Sequence, residues 1–112
     1  MTASSRCPYS WGSATLVDRG AAHATWRLEV RPGASMDALT VPCLFEEYQG
    51  VMLLERYVVL EGQVTVMARS RNAVPSLKGA GDAFEVKAPA ARRITAGPEF
   101  KAVLMLTVVL SQ

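Results

Sequence analysis

Glycine and proline residues divide this chain into short segments, and those segments have the length of β-strands. The turn-forming positions are Pro32-Gly33, Glu61-Gly62, Gly79 to Asp82, Ala88-Pro89 and Gly97-Pro98. Between them, residues 26–31 and 84–87 alternate apolar and charged side chains. A period of two is typical of strands with one buried face. The sequence therefore predicts an all-β domain.

Two segments are apolar on both faces. Residues 51–60 are interrupted only by Glu55 and Arg56, and residues 102–110 contain Thr107 as their one polar residue. In a barrel only one face of a strand fills the interior, so the other face needs a cover, either a second subunit or a terminal strand. We therefore expect a homodimer.

Length and composition exclude several classes of protein. A chain of 112 residues fits one domain spanning residues 1–112. Twelve Lys and Arg stand against ten Asp and Glu with both signs spread along the chain, which argues against a nucleic-acid partner. No apolar run approaches the roughly 20 residues that cross a bilayer. Cys7 and Cys43 lack a metal-type spacing and no leader pattern is visible, so a cytoplasmic protein is expected.

Seven short segments, taken in order, carry a resemblance to a known family. They are Trp11-Gly12 and residues 16–20, 26–33, 55–62, 81–82, 88–89 and 92–99. In this order they resemble the small cupins similar to the C-terminal domain of bifunctional mannose-6-phosphate isomerase/mannose-1-phosphate guanylyltransferase. The resemblance covers nearly the whole chain except residues 36–50. It implies a cupin-type double-stranded β-helix, which is a jelly-roll barrel.

The metal-binding residues of that family are mostly missing. Its first motif runs His-x-His, then Glu, then Gly; Glu55 and Gly62 keep their separation, but no histidine stands near Gln49. The histidine of the second motif is replaced by Arg92, whose guanidinium stays protonated and cannot ligate a metal. The resemblance therefore implies a degenerate site, and we expect neither metal nor other cofactor. The one histidine, His23, is read as a loop or surface residue, with a metal ligand as the alternative.

Glu55 and Arg92 are the first candidates for ligand contacts. The resemblance implies that these two residues face each other across the barrel, which predicts an ion pair where the family holds its metal. The alternative is that Arg92 extends to solvent. The neighbouring Arg56 and Arg93 are one residue out of phase and are expected to face outward.

Tyr57, Tyr48 and Gln49 complete the candidate site. Alternation places Tyr57 on the same face as Glu55, so it contacts a ligand or is a core tyrosine whose hydroxyl bonds the backbone. Residues 36–48 could form a helix, but Pro42 would break it, so an irregular segment near the barrel mouth is predicted. Tyr48 and Gln49 would border that mouth, either as ligand contacts or as part of a solvated loop.

Three functions remain open at this point. The first is a metal-free barrel that binds a small polar molecule of the sugar or sugar-phosphate type. The second is an enzyme resembling mannose-6-phosphate isomerase or an epimerase, with Glu55 or Tyr57 as acid or base, or a metalloenzyme with unrecognised ligands. The third is a non-catalytic dimeric interaction module.

Overall fold

The computed structural model describes residues 6–20, 23–37, 52–68, 74–87 and 92–110. These residues form strands joined by turns, and the described ranges contain no helix. The strands are β1 (Arg6–Tyr9), β2 (Gly12–Arg19), β3 (His23–Val30), β4 (Ser35–Asp37), β5 (Met52–Glu61), β6 (Gln63–Ala68), β7 (Ser76–Gly79), β8 (Ala83–Lys87), β9 (Arg92–Ala96) and β10 (Ala102–Leu110). The prediction of an all-β fold is confirmed. No helix long and apolar enough for a bilayer occurs in these ranges.

The strands form two antiparallel sheets. One sheet has six strands in the order β1-β2-β3-β10-β5-β8, and the other has four in the order β4-β9-β6-β7. Strands that are distant in sequence are therefore neighbours, since β10 lies between β3 and β5. Buried side chains from both sheets belong to one hydrophobic core. This is the jelly-roll arrangement.

The alternation of β3 determines which side chains enter the core. Trp26 and Leu28 are buried, whereas Arg27 and Glu29 between them are only half-buried. Leu28 pairs with Leu104 of β10, and both side chains have no exposed surface. Burial of one such leucine stabilises the fold by about 1.5–3 kcal/mol. The period-two pattern of the sequence therefore corresponds to one face of β3 that packs in the core and one face that points outward.

Apart from Arg56 and Thr107, the outward face of β5 and β10 carries mostly apolar side chains, as the sequence predicts. Val103 is fully buried, while Met105, Val109, Leu54 and Val58 are half-buried. Each of the four half-buried side chains retains surface that a second copy of the chain can cover. The homodimer stays a prediction.

Two residues predicted as irregular lie in strands. Met36 is part of β4, where it pairs with Ile94 and is almost completely buried, so the irregular assignment was wrong here. His23 begins β3 through its pairing with Val109, which corrects its placement in a loop. Its side chain is exposed and lies 3.3 Å from Asp18, in agreement with a surface histidine. Residues 38–50 lie outside the described residues.

The direction of the strands distinguishes two ends of the barrel. At one end the strands are joined by residues 10–11, 31–34, 62, 80–82 and 97–101, and we call this the turn end. At the opposite end, which we call the loop end, lie the strand ends that flank residues 21–22, 38–51, 69–73 and 88–91, which are outside the described residues. Gly62 makes the tightest of the turns; its φ is +76°, and an added Cβ would lie 2.5 Å from the carbonyl oxygen of Lys101.

An ion-paired carboxylate on the outer surface gives a small pH dependence to stability. Glu29 accepts hydrogen bonds from Lys101 at 3.0 Å and Arg27 at 2.6 Å, and these bonds lower its pKa below the ordinary 4.5. A lowered pKa stabilises the fold above the ordinary value, and this stabilisation is lost as the pH falls through the folded-state pKa. About a third of the side chain is exposed, so solvent screening keeps its contribution below about 1 kcal/mol.

We therefore expect Glu29→Gln to lower the free energy of unfolding by less than about 1 kcal/mol at pH 7, since an exposed pair is weak. The difference from the wild type should disappear in acid. Urea unfolding of both proteins across the acidic range measures this. A difference that persists below the folded-state pKa would contradict the assigned role of the carboxylate.

Candidate ligand site in the barrel

Glu55 is a carboxylate buried inside the barrel. It lies on the inward face of β5 and has no exposed surface. Its neighbours on the adjacent strands are Val86 of β8 and Val108 of β10, both buried and apolar. A carboxylate in such surroundings is costly unless other groups hydrogen-bond to it.

Tyr57 supplies one of those hydrogen bonds. It lies two residues further along β5, so its side chain shares the inward face, and its hydroxyl donates to Oε1 of Glu55. The predicted inward orientation is confirmed. The hydroxyl has a carboxylate partner, whereas the core interpretation had assigned it a backbone partner.

Phe84 holds the tyrosine ring from the neighbouring strand. It pairs with Tyr57 across β5 and β8, and the two rings stack with centroids 4.9 Å apart and 11° between their planes. The alternation of residues 84–87 predicts a strand that contains Phe84 but does not connect this residue with Tyr57. Finding the contact requires the register of two strands that are 22 or more residues apart in the chain, which the alternation pattern does not contain.

The surroundings of Tyr57 keep its hydroxyl protonated. Burial raises its pKa well above the ordinary 10.0, and the charge of Glu55 and the hydrogen bond to that carboxylate raise it further. A raised pKa gives stability that is full below the ordinary value and is lost as the pH rises from there through the folded-state pKa.

This shift gives an expected result for tyrosine ionisation. The chain has three tyrosines, and Tyr57 should add no tyrosinate absorbance while the protein stays folded in alkali. Ultraviolet titration of the native wild type and of Tyr57→Phe should therefore give equal amplitudes, whereas after unfolding the wild type should show one additional ionising group. A smaller native amplitude in the variant would show that Tyr57 ionises in the folded state.

Arg92 lies in the other sheet. It pairs with Ala68 and is in phase with the buried Ile94, so β9 presents it on the core-facing side, where it is half-buried. Both Glu55 and Arg92 lie in the loop-end part of their strands. Each has further interaction partners. Their predicted ion pair stays a prediction.

The two out-of-phase arginines face outward, as predicted. Arg56 bonds Glu85 at 3.0 Å, and Arg93 lies 3.6 Å from Asp37; both arginine side chains are more than half exposed. The other two candidates, Tyr48 and Gln49, lie outside the described residues.

No family model matches the chain, and no curated protein matches it. Several solved structures, in contrast, are similar to this chain in fold. The chain superimposes on the Schizosaccharomyces pombe Cnp3 cupin domain with a TM-score of 0.68 and 14% identity, covering 88% of this chain and 61% of that one. A variant of Bacillus subtilis oxalate decarboxylase gives 0.71 and 15%, covering 96% and 28%. This chain has the cupin fold. A Klebsiella pneumoniae protein of double-stranded β-helix type gives 0.66 and 11%, covering 93% and 76%.

These similarities establish the cupin fold and no finer relationship. The chain spans 61% of the Cnp3 cupin domain and 28% of oxalate decarboxylase. The resemblance to the C-terminal domain of mannose-6-phosphate isomerase/mannose-1-phosphate guanylyltransferase stays a prediction.

The described part of this chain does not fit a divalent-metal site. Its residues contain no group of three or more His, Cys, Asp or Glu side chains that could hold a metal ion. Level with Glu55, the adjacent strands present Val86 and Val108, which have no ligand atoms. The chain's one histidine is His23, exposed on the surface. Because residues 38–51 are not among those described, the metal-free state stays a prediction.

Proposed function

We propose that this cupin barrel binds a small polar ligand, of the sugar or sugar-phosphate type, at Glu55 and Tyr57, without a metal or other cofactor. The observation that carries the proposal is a carboxylate and a tyrosine hydroxyl, both fully buried and bonded to each other among apolar side chains. A buried polar pair is a poor device for stability, because desolvation offsets its attraction. A binding role explains why the core contains it.

The polar groups suit a polyhydroxylated molecule. In this proposal Glu55 accepts hydrogen bonds from ligand hydroxyl groups, and Tyr57 orients the carboxylate. Arg92, on the core-facing side of β9, binds a phosphate or carboxylate group, since a guanidinium forms bidentate hydrogen bonds with such groups. Tyr48 and Gln49 are the proposed contacts at the mouth.

Ligand screening tests the proposal. Thermal unfolding is followed with sugars and sugar phosphates added to the metal-free protein, because binding to the folded state raises its stability by mass action. We expect at least one compound to raise Tm in the wild type and in Glu85→Gln, a matched change of an exposed carboxylate, but not in Glu55→Gln. A panel without effect, or an equal shift in Glu55→Gln, would overturn the proposal. Stoichiometric metal in the purified protein would overturn its metal-free part.

The variant Glu55→Ala separates a binding role from a structural one. Loss of ligand binding with retained folding supports the site. Collapse of the fold supports a structural pair.

A second candidate function is an isomerase-like or epimerase-like sugar enzyme. The direct bond between Tyr57 and Glu55 favours it, because a phenol and a carboxylate in contact can serve as general acid and general base. Conversion of a bound sugar phosphate, followed by product analysis, distinguishes this from simple binding. Turnover that survives both Glu55→Gln and Tyr57→Phe would exclude these residues as acid and base.

The homodimer is proposed from the largely apolar outward face of β5 and β10. Sedimentation equilibrium of the wild type and of Val58→Lys tests it, since a half-buried lysine there would place a charge in the interface. A dimer that dissociates in the variant supports the proposal, whereas a monomeric wild type contradicts it.

A further inference from the structure

A cavity opens on the outer surface at the turn end, away from Glu55. Its volume is about 210 Å³, and it is lined by residues 12–13, 29–32 and 101. These residues come from three separate segments: the start of β2, the end of β3 with its following turn, and the residue before β10. Strand pairing therefore assembles the cavity from distant parts of the sequence.

Ser13 contributes a buried polar group to this cavity. It is 4% exposed and lies opposite Glu29 on the outward side of β2. No hydrogen bond joins its hydroxyl to a described residue, and the oxygen is not fully enclosed, so it remains accessible from the cavity. The hydroxyl can therefore donate to a ligand that enters the cavity.

The charges around the cavity are predominantly positive. Lys101 and Arg27 share a single carboxylate, that of Glu29. Arg31 donates to the carbonyl oxygen of Ser10 at 3.3 Å, and within the described part of the chain no carboxylate neutralises it. Among the residues that line the cavity, two cations, Arg31 and Lys101, therefore accompany one anion, Glu29, and the net positive charge favours an anionic ligand.

The backbone holds the cationic turn in place. The amide of Arg31 donates to the carbonyl of Trp11 at 2.8 Å, and the amide of Gly33 donates to Gly97 at 2.8 Å. Both bonds connect the turn to other segments, so the cavity wall is formed before a ligand arrives. Preformed sites bind more tightly because less ordering is required on binding.

We propose that this cavity binds a phosphate group. A tetrahedral oxyanion has enough acceptor oxygens for the guanidinium of Arg31, the ammonium of Lys101 and the hydroxyl of Ser13, which come from three segments. The cavity is smaller than the roughly 300–1,000 Å³ pockets that enclose drug-sized ligands. It therefore takes free phosphate or the phosphoryl group of a larger molecule that extends into solvent.

Amide chemical shifts during titration of the full-length protein with inorganic phosphate test this proposal. Sodium chloride at equal ionic strength is the control for screening. We expect saturable shifts at Gly12, Ser13, Arg31 and Lys101. Linear shifts without saturation, or shifts that sodium chloride reproduces, would overturn the proposal.

Variants assign the binding to individual groups. Arg31→Gln should weaken phosphate binding by about tenfold or more, as expected for losing a charge-assisted bond. Ser13→Ala should weaken it less and fold normally, whereas Arg93→Gln removes an equal charge elsewhere and should have no effect. Equal affinity in Arg31→Gln and the wild type would overturn the proposal.

Methyl phosphate, a phosphate monoester, distinguishes free phosphate from a phosphorylated molecule as the natural ligand. It also distinguishes the cavity at the turn end from the barrel interior as the binding site. Tighter binding of methyl phosphate than of inorganic phosphate at the same amides identifies a phosphorylated molecule as the natural ligand, and the reverse identifies free phosphate. Shifts confined to residues around Glu55 and Arg92 would place phosphate in the barrel and overturn the cavity assignment.

Discussion

The variant Gly12→Ala is expected to lose about 3 kcal/mol of unfolding free energy, at the upper end of what overpacking usually costs. An added Cβ at this position would lie 1.8 Å from the carbonyl oxygen of Glu29, which is backbone and cannot rotate away. The φ of Gly12 is also +152°, a conformation that side chains rarely adopt. The start of β2 would have to move away from β3.

Gly33→Ala is the matched control for that variant. Its φ of +73° is strained for alanine, but an added Cβ would have no atom within 4 Å. It should lose only about 1 kcal/mol, the cost of the left-handed conformation. Urea unfolding measures both variants. Equal losses would show that conformation, rather than the close approach to Glu29, determines the requirement for glycine at position 12.

The variant Tyr57→Phe is expected to lose about 2 kcal/mol, because it leaves the buried carboxylate of Glu55 without the hydroxyl that donates to it. The ring and its stacking on Phe84 are retained, so the loss reports on the hydrogen bond. Chemical unfolding at neutral pH, where the wild-type hydroxyl is protonated, provides the measurement.

Thr107→Val is the control for removal of a hydroxyl. Thr107 bonds Thr25 at 3.2 Å on the outward face, where water can replace the lost group. This variant should lose less than about 1 kcal/mol. If Thr107→Val lost as much unfolding free energy as Tyr57→Phe, the buried hydrogen bond between Tyr57 and Glu55 would contribute no more to stability than one at the surface.

The fold was predictable because its main signals are local. Alternation identified the faces of β3 and β8, and glycine positions marked turns such as the one at Gly81-Asp82. In that turn Gly79 donates to Asp82 at 2.8 Å. The missed strand β4 shows the limit of local signals. Its three residues form a strand only because Met36 finds its place beside Ile94, a contact between residues far apart in the sequence.

The sequence predicts which face of β5 carries the candidate site residues, but it does not predict which other residues they contact. The alternation of β5 placed Glu55 and Tyr57 on one face, and their spacing of two residues makes their contact possible. The participation of Phe84 depends on the register between β5 and β8. The cavity around Ser13 depends on three segments that approach one another only in the folded chain. No periodicity in one segment encodes such contacts.

The double variant Glu55→Met/Tyr57→Phe tests most directly whether the buried pair exists for binding or for stability. Glu55 has further partners, so the reference for the double variant is Glu55→Met, in which the buried hydroxyl of Tyr57 has lost its acceptor. Removing that hydroxyl as well should raise the unfolding free energy above that of Glu55→Met by about 1–3 kcal/mol, while binding of any ligand found by screening stays absent. A double variant less stable than Glu55→Met, or one that still binds the ligand, would contradict the proposed role of the pair.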